Sequence, residues 1–308
     1  MGKHAVTGAF GFSGKYIARQ LLDQGKEVIA VTNSPHRDNP LSGHVTPYPY
    51  RFDDVDAMTR ILEGVSVLYN NYWVRFNHNT FSHAQAVKNA EVLFTAARQA
   101  GVKRIVHVSI TSADEHLAFE YFRGKGVMER MLKETGLPHS ILRPALLYGP
   151  GDILINNIAW ALRHFPAFAV FGDGQYRVQP IYVEDLASLV VAEGVQDENR
   201  ELAAIGPENY AYVDLVKMVR DSLGLKRPII HVPPVLGHLA GLAIGKMVND
   251  VFLTRAEIDG LMANTLHAPG EKPNGVVRLS EWVYENRKQL GRQYSGELPR
   301  RRDRTLAH

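Results

Sequence analysis

HAVTGAFGFSGKY, residues 4–16, sets a short β-branched run before three glycines, Gly8, Gly11 and Gly14, each three residues from the next, and then a helical pattern. In that context each glycine has a mechanical task. Gly8 permits the tight turn out of the strand, Gly11 lets a pyrophosphate approach the main chain, and Gly14 lets the helix lie close to the sheet. The helix N-terminus then supplies N–H groups and a positive dipole end. The spacing, placed directly after an N-terminal strand, predicts a dinucleotide-binding loop, with Phe10 and Phe12 as its intervening residues.

Outward from the loop, short apolar runs alternate with helical windows for about 150 residues, the signature of a parallel sheet covered by helices. Strands are expected at His4 to Thr7, Glu27 to Thr32, Val67 to Asn70, Arg104 to Ser109 and Ser140 to Arg143. Helices are expected at Ser13 to Asp23, Asp56 to Leu62, Phe81 to Ala100 and Phe122 to Thr135, each followed by a glycine (25, 64, 101 and 136) where a left-handed residue ends a helix most easily. The fold class is therefore α/β, a Rossmann-type doubly wound parallel sheet. Residues 1–150 are expected to form the dinucleotide-binding domain and 151–308 a smaller mixed α/β substrate lobe, partly interleaved with it.

The second strand runs into AVTNSPHR, where a site for NAD would usually place an acid to bond the ribose 2′-hydroxyl. Asn33 and Ser34 are neutral and Arg37 is a cation, so a 2′-phosphate is welcomed and NADP is expected ahead of NAD. Asp53 opens a DDVD run and serves either the adenine edge or the cap of the next helix.

Composition removes several other functions. With no cysteine there is no disulfide, thiol nucleophile or thiolate metal site. The formal charge of +3 lies wholly in residues 299–308, PRRRDRTLAH, leaving the remainder neutral, so no nucleic-acid groove is expected. The N-terminus has no apolar core behind a basic start, which points to a cytoplasmic protein. The most apolar late stretch, residues 228–245, is broken by three Pro, two His and three Gly and is not expected to span a membrane. Thirteen histidines form no His-x-x-x-His or His-Glu-x-x-His pattern, so no metal is expected.

TGAFGFSG, GVKRIVHVS, HSILRPALLYGPGD and GDGQYRVQPIYVEDLA together resemble the short-chain dehydrogenase/reductase superfamily over about 220 residues. The likeness is to its atypical or extended branch, which includes NmrA-like proteins and the reductase-fold accessory subunit of respiratory complex I. The resemblance implies a nicotinamide near Ser109, Thr111, Tyr121 and the Arg143-Pro144 turn. It also implies that YFRGK supplies a Tyr-x-x-x-Lys pair, Tyr121 and Lys125, which four-residue spacing puts on one helix face. Lys125 would hold a ribose hydroxyl and lower the phenol pKa, so that Tyr121 exchanges a proton with a carbonyl or alcohol. The same spacing recurs at Tyr284 and Lys288, but only Tyr121 follows a strand and a Ser/Thr cluster. Thr111 is the third catalytic candidate, with Ser109 and Ser112 as alternatives; the stretch from there to Tyr121 is shorter than in most extended members. Asn89 matches the family's helix Asn of the proton relay, and Asn70 its strand-end contact to the cofactor ribose. Tyr72 and Trp73 form either a pocket wall or core, and Arg177, Tyr148, Asn156 and Asn157 are candidates to face a substrate.

The expected function is an NAD(P)-dependent oxidoreductase acting on a carbonyl or hydroxyl of a small molecule. The alternatives are a catalytically silent NAD(P)-binding sensor or assembly subunit, and a nucleotide-sugar epimerase or dehydratase. A homo-oligomer is compatible with either.

Overall fold

A computed structural model describes residues 2–37 and 39–298; the basic tail at 299–308 lies outside the described residues. The described residues divide into two compact units, one comprising the residues to Pro144 together with Leu186–Ala203, the other Ala145–Asp185 and Ala204–Leu298. The divide thus falls six residues before the 150 expected from the sequence, and an eighteen-residue segment returns to the first unit.

The first unit runs β1 (Lys3–Thr7), α1 (Gly14–Asp23), β2 (Val28–Val31), β3 (Thr46–Tyr48), α2 (Val55–Leu62), β4 (Val65–Asn70), α3 (His83–Gln99), β5 (Arg104–Val108), α4 (Glu120–Glu134) and β6 (His139–Pro144). The second continues with β7 (Leu146–Tyr148), α5 (Leu154–His164), β8 (Phe168–Phe171), β9 (Arg177–Val178) and β10 (Pro180–Tyr182). Helix α6 (Val183–Glu193) leads to β11 (Arg200–Ala204), and β12 (Tyr210–Ala211), α7 (Tyr212–Ser222), β13 (Ile229–Val232), α8 (Pro234–Val248), α9 (Arg255–Met262) and α10 (Leu279–Asn286) follow.

Seven strands form the main sheet in the order β11-β6-β5-β4-β1-β2-β3. The pairs β1–β2, β1–β4, β2–β3, β4–β5 and β5–β6 are all parallel. Strands β2 and β5 are buried at every residue, as strands covered on both faces must be. Beneath them Ala90, Leu93, Phe94, Met128 and Leu132 of α3 and α4 pack with Ile105 and Ile141. The helices start and stop where local chemistry directs: Asp54 and Ser82 cap α2 and α3 by accepting from the Ala57 and Gln85 amides, and Gly25, Gly64, Gly101 and Gly136 take positive φ. Chain order reverses between β1 and β4, which opens a crevice outside their carboxyl ends, the usual ligand position in a doubly wound sheet.

The second unit has its own core, in which Tyr148, Trp160, Tyr176, Val216 and Trp282 are buried. Its strands pair two by two: β7 with β10, β8 with β13 and β9 with β12. The residues expected to face a substrate there are engaged internally. The Arg177 guanidinium donates to the side chain and main chain of Asn209, Tyr148 to the Val277 carbonyl, Asn156 to the Gln293 carbonyl and Asn157 to the Ser295 carbonyl. These pairings make them struts of the unit. Asp185 likewise accepts from the Val276 and Val277 amides.

Candidate NAD(P) site

The turn after β1 is built to the demands read from its glycines. Gly8 takes φ +64° and donates to the Val31 carbonyl, and its own carbonyl accepts from the Gly11 amide at 2.7 Å. A Cβ at Gly14 would lie 2.1 Å from the Gly8 oxygen, with main-chain atoms of Gly8 and Ala9 behind it, so no larger residue fits without displacing α1. At Gly11 the same oxygen would be 3.0 Å away. Ser13 makes no side-chain cap at the start of α1. That helix end therefore lacks the usual side-chain acceptor, as a phosphate-binding terminus requires.

Phe10 is buried beneath the loop, while Phe12 is partly exposed and packs edge-on against Tyr16. Asn33 is exposed just beyond β2. Arg37 is buried, and its guanidinium donates to the Phe10 carbonyl at 3.2 Å. A cation in the loop that follows β2 is thus tethered to the glycine loop.

Two expected cofactor residues are placed otherwise. Asp53 is exposed and paired with Arg51; a hydrogen bond from its own main chain first, and the one from Arg51 second, hold its carboxyl below the usual range, and the helix cap is Asp54. Asn70 is fully buried, and its amide is used up holding strand ends together. It accepts from Thr7 Oγ1 and the Tyr72 amide at 3.0 Å each and pairs with His107 Nδ1 at 3.1 Å. It ties the ends of β1 and β4 to His107 of β5. The neighbouring Asn71, whose amide donates to Thr7 Oγ1, has both side-chain polar atoms buried without a hydrogen-bond partner among the described residues. Ser109 Oγ, just past β5, is in the same condition. Unsatisfied polar atoms are costly, and these two residues stand just past the ends of neighbouring strands β4 and β5. The residues present therefore fit a dinucleotide.

The chain after β5 continues the ladder with β6. Ser109 N donates to the Leu142 carbonyl and Thr111 N to that of Pro144, which brings Ser109, Thr111 and Pro144 to one edge. Ser112 then adopts φ +57° and turns the chain away. Arg143 is not directed to this edge, since Glu129 and Glu201 hold its guanidinium.

Lys125 comes up to that edge from α4. It is buried, its ammonium donates to the Val108 carbonyl at 2.8 Å and lies 5.1 Å from the Trp73 ring centroid, and burial lowers its pKa from 10.5 to about 7. Glu129, one turn along, opposes that shift only partly, its carboxylate being taken by Arg143. Glycines on both sides of the lysine make this possible. A Cβ at Gly124 would strike the Trp73 ring at 2.6 Å, and one at Gly126 would meet the Glu115 amide at 2.3 Å. Beneath, His107 is fully buried and held neutral, by desolvation first and the Lys125 charge second. Tyr121 is partly exposed and stands edge-on to Trp73 and His83, with centroids 5.7 and 5.6 Å apart. Trp73 thus contacts both members of the Tyr-x-x-x-Lys pair. Asn89 lies elsewhere, donating to the Tyr72 hydroxyl at 2.7 Å. Tyr72 itself packs with Tyr50 and Phe52 as an aromatic wall, and the Tyr50 phenol bonds with Thr7 and the Gly8 main chain. Among the described residues no group of His, Asp or Glu could hold a metal.

Residues 8–154 match a family model described as NAD(P)H-binding. Over that stretch the chain is similar to NAD(P)H-binding domains. It is 25% identical over 231 residues to the NADH dehydrogenase [ubiquinone] 1 alpha subcomplex subunit 9, mitochondrial, of Arabidopsis thaliana, covering 71% of this chain and 57% of that protein. A ceramide reductase of Caulobacter vibrioides is 25% identical over 238 residues, 74% of this chain and 73% of the reductase. Among solved structures, the Citrobacter sp. triphenylmethane reductase complexed with NADP(H) superposes with a TM-score of 0.74 at 18% identity, covering 92% of this chain and 99% of that one. The chain spans about 60% of the length of the complex I relatives it matches.

Proposed function

We propose that the protein is an NADP-dependent reductase of the atypical short-chain type, acting on the carbonyl of a small molecule. Lys125 carries this reading. A lysine with its charge buried, donating to one main-chain carbonyl and accommodated by two glycines, is an expensive feature for a fold to retain, and perturbed groups of this kind concentrate at functional sites. When bound, the nicotinamide nucleotide supplies the hydride chemistry. The main chain of the Gly8–Gly14 turn and the α1 N-terminus hold the diphosphate, Arg37 the 2′-phosphate, and Asn71 and Ser109 the ribose. Tyr121 gives its phenolic proton to the substrate oxygen, Thr111 orients that oxygen by hydrogen bonding, and Lys125 provides the cation beside them.

The test is a fluorescence titration of NADPH and NADH, followed by a screen of aldehydes, ketones and quinones for NADPH oxidation. Tyr121→Phe is expected to cut turnover about a hundredfold or more, with NADPH affinity changed less than about twofold. Unaltered turnover in that variant would refute the assignment. Arg37→Ala is expected to weaken NADPH binding about ten- to hundredfold and leave NADH nearly unchanged, since only NADPH carries the second anion. Equal losses for both nucleotides would mean that Arg37 merely braces Phe10.

A second reading rests on the complex I relatives: an NAD(P)-binding subunit of an assembly, without turnover. It predicts tight nucleotide binding and no NADPH oxidation with any class in the screen.

A further inference from the structure

Helix α8 is arranged opposite to an ordinary surface helix. The residues it buries are Gly237, Gly241 and Gly245, one turn apart, and a Cβ at Gly237 would strike the Phe171 ring at 2.1 Å. Ile244 and Val248 pack partly buried against the core, but the other large apolar side chains face out: Val235, Leu236, Leu239, Leu242 and Met247 are between 51 and 66% exposed. Three glycines inside a helix each cost about 1 kcal/mol relative to alanine, and five exposed aliphatic side chains gain nothing in water. An apolar patch of this extent needs a cover.

Charge selects the cover. Between Asp221 and Asp250 the chain has no carboxylate but three cations, Lys226 and Arg227 before β13 and Lys246 in the last turn of α8. Asp250 is buried and accepts from Tyr294, Glu297 and Leu298, and Asp259, beside Val235 and His238, is paired with Arg255. Two copies meeting at this face would bring like charges together, whereas an anionic surface would neutralise them. Fifteen residues of helix span about 22 Å, short of the ~30 Å hydrocarbon core, and no helix of the described residues is long and apolar enough to cross a membrane. We infer that α8 is a lipid-surface helix, lying in the plane of an anionic bilayer with its glycine ridge on the protein and Leu236, Leu239 and Leu242 among the acyl chains.

The native chain has no cysteine, so single sites can be labelled. The full-length Leu239→Cys protein carrying an environment-sensitive dye is mixed with phosphatidylcholine vesicles containing phosphatidylglycerol, and with phosphatidylcholine alone. Val195→Cys, at an exposed position in the other unit, serves as the reference label. The expected result is a blue shift at 239 and none at 195, stronger on anionic vesicles and reduced by salt. The unlabelled triple variant Leu236→Gln, Leu239→Gln, Leu242→Gln should co-sediment at least about tenfold less with an unchanged melting temperature. Three results would each overturn the inference. One is no partition onto anionic vesicles. Another is partition without a shift at 239, which would assign binding to the basic tail. The third is a shift at 239 that grows with protein concentration in the absence of lipid, which would make a second copy the cover.

Discussion

Gly14→Ala is expected to abolish measurable NADPH binding and to lower the melting temperature by roughly 5–10 °C. The single methyl would sit 2.1 Å from the Gly8 oxygen, 2.7 Å from its carbonyl carbon and 3.0 Å from the Ala9 Cα, all main-chain atoms of the turn proposed to hold the diphosphate. Neither side can yield by a side-chain rotation, so α1 must move away from β1 as a body. Overpacking of this kind costs about 1–3 kcal/mol, which for a chain this size corresponds to several degrees. The loss of binding is larger than the loss of stability because anion capture depends on amide positions, and displacement of the donors by a fraction of an ångström spoils several hydrogen bonds together. Gly25→Ala, at the other end of α1, is the matching control. Its φ of +70° makes alanine costly by about 1 kcal/mol, yet nothing lies within 4 Å of the new methyl. It should melt a few degrees lower and bind NADPH normally. Parallel behaviour of the two variants in nucleotide binding would dissociate the loop from the cofactor.

What could be read from the sequence was whatever is enforced locally. A glycine that cannot be replaced leaves its mark at its own position, and so do a β-branched strand interior and a helix-ending glycine; for that reason the loop, five strands and four helices were all legible. The sheet edges were not. Strand β3 has three residues, one of them Pro47, and pairs only with β2; β11 reads RELAA, a polar segment that becomes a strand only because β6 offers it an edge. Adjacent like residues were equally opaque. Asn70 and Asn71 are indistinguishable in a string, yet strand alternation buries the first in the Thr7–His107 network and leaves the side-chain amide of the second unpartnered. Asp53 and Asp54 divide in the same way: Asp54 accepts from the Ala57 amide as the helix cap, whereas Asp53 pairs with Arg51. The burial of Lys125 depends on Trp73, fifty-two residues earlier, and on the missing side chain of Gly124 between them. The pattern Gly-Lys-Gly inside a helix was the available signal, since two helix-disfavouring residues flanking one cation ask for something large to lie against them.

That same lysine supplies the second large effect, in which stability and activity move in opposite directions. Lys125→Met should cut turnover by about two to four orders of magnitude, since it removes the cation of the proposed Tyr121–Lys125 pair, and it should nevertheless melt higher than the parent at pH 6. The native ammonium is desolvated, with a pKa lowered from 10.5 to about 7. Below pH 7 it is protonated in both folded and unfolded chains, and the full cost of burying it is present. Between pH 7 and 10.5 the folded protein releases a proton that the unfolded chain retains, so the unfolded state binds more protons and stability rises with pH. Methionine keeps the length and fills the space beneath Trp73 without the charge, which relieves a cost of order 4 kcal/mol at pH 6 and almost none at pH 10.5. Ligand-free melting curves of the two proteins should therefore lie roughly 10 °C apart at pH 6 and converge as the pH approaches 10. Comparing the pair cancels every other titrating group. A methionine variant that melted lower at pH 6 would show that the bond to Val108 and the contact with Trp73 outweigh desolvation, and Lys125 would then be an ordinary structural residue with no claim on the chemistry.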